Sequence, residues 1–143
     1  MPKLSVWMVR ASLLHMGVGF LFGALLLAHK GVPFYDGAWR LLNPHIEVMI
    51  FGWTMQFVMG MAFWILPRFT GEGRYGAVHL GWWSFVLLNI GITATSIGSW
   101  FALPIGAVIG RLFSLGAVTL FMLMIWTRVK PLSDSAPASR KSI

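Results

Sequence analysis

The chain contains no cysteine and only four acidic residues among its 143. Without thiols there are no disulfides, no thiolate metal sites, no iron–sulfur clusters and no covalent c-type haem attachment through Cys-x-x-Cys-His. Charge of either sign is scarce. Charged residues make up 10% of the chain, against about 25% in an ordinary soluble domain, and that scarcity excludes a water-facing surface. Alternating segments of about ten residues are also missing, which excludes a transmembrane β-barrel. The net charge is +7, yet the basic residues form no single stripe, so the high pI does not indicate a nucleic-acid partner.

What is present is apolar. Hydrophobic residues make up 57% of the chain, with eight Trp and eleven Phe. Four runs are long enough to cross a bilayer: approximately 11–29, 45–66, 80–103 and 105–127. A spanning helix needs about 20 apolar residues, and a helix satisfies its own backbone in lipid. The fold class expected is all-α, an integral membrane four-helix bundle. Lys3 and Arg10 precede the first run, and Ala24 and Ala28 near its end resemble a cleavage region, a pattern shared with secretory leaders. We read it as the first spanning helix.

Four crossings put the N-terminus, the middle loop and the tail on one side. That side carries Lys3, Arg10, Arg68, Arg74, Arg128, Lys130, Arg140 and Lys141; the other carries Lys30, Arg40 and Arg111. The positive-inside rule then places both termini in the cytoplasm, in the cell's inner membrane. Residues 30–44 form an outer loop whose Tyr35, Trp39 and Arg40 suit a membrane interface. Residues 67–79 form a glycine-punctuated cytoplasmic loop, and Leu103-Pro104 marks a tight outer turn. One unit, 1–128, precedes a disordered Ser/Pro/Ala/Lys/Arg tail, 129–143.

Each helix carries a small or polar face. The first aligns Ser12, His15, Gly19 and Gly23, and the second His45, Gly52, Gln56 and Gly60. The third aligns Gly81, Ser84, Leu88, Gly91, Thr95 and Gly98, and the fourth Gly106, Gly110 and Ser114. These spacings share a helix side, and small residues let helices approach closely in lipid. Such faces serve bundle packing, and they also admit a planar cofactor. Among the histidines, His29 and His45 fall toward the outer side, His15 and His79 toward the cytoplasmic side. Arg111 enters the outer third of the membrane at a depth similar to His45. A buried guanidinium there needs an anion or must snorkel. A cofactor carboxylate, Glu47 and Asp36 are the anions in question.

His45, Phe51-Gly52, Gly60, Ala62 and Leu66-Pro67-Arg68 together resemble the second helix of subunit I in the haem–copper oxidase superfamily, closest to the cbb3-type oxidases and nitric oxide reductases. The stretch "FTGEGRYGAVHLGWWSFVLLNIGI" resembles that family's following loop and third helix, so the likeness covers about residues 5–100. In the family, the histidine that opens this helix is an axial ligand of a low-spin haem near the outer face. The resemblance therefore implies that His45 binds haem iron. Family subunits have about twelve helices, and the later ones supply the other haem ligands and the second metal. This chain has four apolar runs and no histidine pair or triad to rebuild that site, so copper and oxygen reduction by the chain itself are not expected.

The expectation is a haem b-binding or haem-oxidase-like subunit of a larger respiratory or photosynthetic electron-transfer complex. His45 is the iron ligand, with His29, a partner or a symmetry mate opposite it. Arg111 and Arg40 are the cations for the cofactor's carboxylates, and His15 with His79 is the alternative ligand pair. Two filled axial positions favour electron transfer over substrate binding. Its partners would be other membrane subunits, lipid and, through the complex, a quinone or a cytochrome c-like donor. The competing class is a cofactor-free accessory or assembly subunit. A transporter is disfavoured, because no paired carboxylates mark an ion path.

Overall fold

Every apolar run becomes a helix, which satisfies its own backbone hydrogen bonds within the segment. The computed structural model describes residues 1–67, 75–126 and 128–129. Helix α1 spans Lys3–Gly31, α3 Val78–Trp100 and α4 Pro104–Trp126. Helix α2 covers Ala38–Ile65. It opens with a 3₁₀ turn at Ala38–Leu41, continues as α-helix over Leu42–Glu47, widens to a π-helix over Val48–Met55 and finishes as α-helix over Gln56–Ile65.

All four are long and apolar enough to cross a membrane. The shortest have 23 residues, about 35 Å at 1.5 Å per residue, against a hydrocarbon core of about 30 Å. Their outward side chains are those that water would reject: Leu14, Leu27, Ile105 and Trp126 are each at least 71% exposed. Helix α1 begins at Lys3 rather than near residue 11. Leu4, Ser5 and Met8 are buried against the bundle, so packing carries the helix back past Arg10. The loop at 68–74, residue 127 and the tail from 130 lie outside the described residues, and with them most of the expected cytoplasmic loop and tail.

The small faces are where the helices meet. On α1 and α2, glycine of one helix receives a side chain of the other. A Cβ on Gly23 would stand 2.9 Å from His45 Cε1, and one on Gly52 would stand 2.7 Å from His15 Cγ. Gly19 takes Met49, and Gly60 takes Met8. The Ser5 hydroxyl donates to the Gly60 carbonyl at 2.6 Å. Helices α3 and α4 come closer, backbone to backbone. A Cβ on Gly91 would stand 2.7 Å from the Gly110 carbonyl oxygen, and one on Gly98 2.5 Å from the Ala107 nitrogen. The Ser84 hydroxyl donates across this seam to the Ala117 carbonyl at 2.7 Å. The buried residues of α3 are Gly81, Ser84, Leu88, Gly91, Ile92, Thr95 and Gly98, which is the predicted face with Ile92 added.

The turn from α3 to α4 is tight. Leu103 N–H donates to Gly98 O at 2.7 Å, and Ala102 is held at φ 55°. That left-handed residue lets the chain reverse and satisfies the last carbonyls of α3.

The bundle is closed at one end and open at the other. At the terminal end, where α1 starts and α4 finishes, Leu4, Met8, Met59, Phe63, Phe121 and Met124 form most of the core. Arg128 locks this end and is 1% exposed. Its guanidinium donates to the carbonyls of Phe63 (3.0 Å), Leu66 (2.7 Å) and Pro67 (3.0 Å). It also lies 5.0 Å from the centroid of the Phe63 ring and 5.7 Å from that of Tyr75. A cation here meets the negative end of the α2 dipole. At the far end, α4 leans chiefly on α3, and clefts separate α1 from α2 and α2 from α4.

Candidate functional site

Of the candidate residues, His29, Arg40, His45 and Arg111 lie toward the far end. His45 stands in the first α-helical turns of α2, after Pro44, and its ring lies on the small face of α1. Its Nδ1 is 2.8 Å from the Gly19 carbonyl oxygen. A carbonyl only accepts, so Nδ1 carries the hydrogen. Nε2 makes no hydrogen bond among the described residues. An imidazole held by Nδ1–H to a carbonyl, with Nε2 unengaged, is the usual posture of a metal-ligating histidine. Beside it lies a cavity of about 210 Å³, lined by Gly23, Leu26, Leu27, Lys30, Trp39 and Leu42 as well as His45. Lys30 supplies a cation there that sequence reasoning did not assign.

His29 is committed elsewhere. It is 7% exposed, and its Nδ1 accepts the Phe34 N–H at 3.3 Å. Its ring meets Phe34 and Trp39 edge-on, at centroid distances of 5.2 and 6.2 Å. With Nδ1 accepting, the neutral ring carries its proton on Nε2, so in this arrangement it has no lone pair for iron. It holds the entry to the α1–α2 loop. His15 donates from Nδ1 to Ala11 O at 2.9 Å within α1 and packs on Gly52. His79 is exposed in the first turn of α3. Arg40 is exposed in the 3₁₀ turn. Among the described residues, no three His, Cys, Asp or Glu side chains stand together as metal ligands do.

Arg111 lies on a different side of α2 from His45. It lines a cleft of about 220 Å³ between α2 and α4, with Glu47, Phe51, Met55, Ser114, Leu115 and Val118. The structure does not bring Arg111 to the cavity of His45. Residues 45 and 47 are about 200° apart on a helix, so equal depth did not mean a shared face. Of the anions weighed for Arg111, the structure sets Glu47 opposite it. The two make no ion pair or hydrogen bond among the described residues.

Sequence reasoning missed two further features. Arg128 counted only as a topology charge, and its spacing gave no hint of the α2 carbonyls it caps. The π-helix of Val48–Met55 also had no signal; such segments widen a helix and often mark functional sites. Compared with protein-family models, curated proteins and solved structures, the chain matches none.

Proposed function

We propose that the chain is a multi-pass inner-membrane subunit of a larger electron-transfer complex, with both termini in the cytoplasm, in which His45 supplies one axial ligand to a haem b. The posture of His45 carries this reading: Nδ1–H is fixed on the Gly19 carbonyl and Nε2 is unengaged at the edge of a cleft. The donor set fits one axial bond. Haem would supply reversible one-electron transfer there. Gly19 and Gly23 orient the ring, and Lys30 offers a cation for a carboxylate of the group. His29 is engaged by the Phe34 amide at the loop entry, so the second ligand comes from a partner subunit. A cleft of about 210 Å³ is below the range of closed ligand pockets, about 300–1,000 Å³, which also calls for a partner wall.

A second reading, a cofactor-free packing subunit, is favoured by the engagement of His15 and His29 in helix and loop contacts. A reduced-minus-oxidised spectrum of the complex purified from its native membrane separates the two. The haem reading expects a b-type band that His45→Ala removes and His15→Ala keeps. A complex without porphyrin, or a band unchanged in His45→Ala, would refute it.

A further inference from the structure

The cleft between α2 and α4 contains a buried carboxylate oxygen with no hydrogen-bond partner among the described residues. Glu47 is 6% exposed, and it is its Oε1 that stands unpaired. Leaving such a group buried and unpaired is costly. Arg111 lines the same cleft without bonding to Glu47. An acceptor and a donor thus face each other across a gap. The other walls, Phe51, Met55, Leu115 and Val118, lie one to two turns further along the two helices. The cleft is polar at its outer end and apolar toward the middle of the membrane.

We infer that this cleft binds the head of a neutral, lipid-soluble hydroxy compound, whose O–H donates to Glu47 and whose oxygen accepts from Arg111. A cation would be repelled by Arg111 and an anion by Glu47. A hydroxyl is the smallest group that both donates and accepts, so it satisfies both walls at once. About 220 Å³ holds a ring or a head, not a whole lipid, so the tail leaves between α2 and α4 into the bilayer. Phenols and aliphatic alcohols share this chemistry.

The test uses the full chain in phosphatidylcholine nanodiscs under argon, titrated calorimetrically. The probes are a decyl-substituted hydroquinone and dioctanoylglycerol, each beside its O-methylated counterpart. At least one hydroxyl probe should saturate the protein, and its ether should bind at least tenfold more weakly. Which probe saturates assigns the source as phenol or alcohol. Glu47→Gln should weaken binding by about tenfold, the energy of one charge-assisted bond. Val118→Trp, which adds bulk on the half-buried apolar wall of the cleft and leaves its polar end intact, should abolish it in protein whose helicity and Tm match wild type. Ethers that bind as well as alcohols, no saturation by either probe, or wild-type binding in Val118→Trp would each overturn the inference. The readout needs no haem, so this site and the His45 site can fail independently.

Discussion

One chemical change, glycine to alanine, should have opposite effects at two places in the same helical hairpin. At Gly91 the added Cβ would stand 2.7 Å from Gly110 O and 2.8 Å from Ser114 N. Both atoms are backbone, so neither can swing aside as a side chain would. Ordinary contact begins at about 3.4 Å, so α3 and α4 must part by roughly 0.5–1 Å. Overpacking of this kind costs about 1–3 kcal/mol. It also stretches the Ser84–Ala117 hydrogen bond of 2.7 Å. The helical preference of alanine returns about 0.5–1 kcal/mol, leaving Gly91→Ala about 1 kcal/mol less stable at the middle of those ranges. At Gly116 a Cβ meets nothing within 4 Å. Only the helical preference remains, so Gly116→Ala should gain about 0.5–1 kcal/mol. Denaturant-induced unfolding of both variants in one detergent, followed by circular dichroism, measures the two signs side by side. If Gly91→Ala matches or exceeds Gly116→Ala in stability, the α3–α4 seam is not a backbone contact and the packing argument is wrong.

Ala102 pays for its φ of 55° with a Cβ clash of about 1 kcal/mol, so Ala102→Gly should raise Tm, and an unchanged or lower Tm would count against the turn geometry. Arg128→Met removes a cation from three carbonyls and should destabilise by about 3 kcal/mol; Arg128→Lys keeps the charge but not the fork, and should recover only part of that loss in the same unfolding assay. The topology expected from the distribution of basic residues predicts a C-terminal reporter fusion active only in its cytoplasmic form, and periplasmic activity would invert that topology. Gly19→Ala should cost less than Gly91→Ala, because the atom its Cβ meets belongs to the flexible Met49 side chain.

The sequence alone determined the number of apolar helices and the faces they turn inward. Those follow from local quantities. Twenty apolar residues in a row have one stable backbone state in lipid, and glycines and serines at spacings of three, four and seven share a side wherever the helix goes. The buried face of α3 could be written from Gly81 to Gly98 before any neighbour was known. Which group each face meets is not local. His45 and Arg111 have similar depth in the sequence, but only the direction α2 turns them shows that His45 looks to Gly19 and Gly23 while Arg111 faces Glu47. His29 gave no sign that its ring would be taken up by the Phe34 amide. Arg128 lies 61 residues from Pro67 in the chain, and no periodicity links a cation at the end of α4 to the last carbonyls of α2. Helix formation is decided within a few turns of chain, whereas clefts, caps and unpaired polar atoms are decided by where separate helices stop touching.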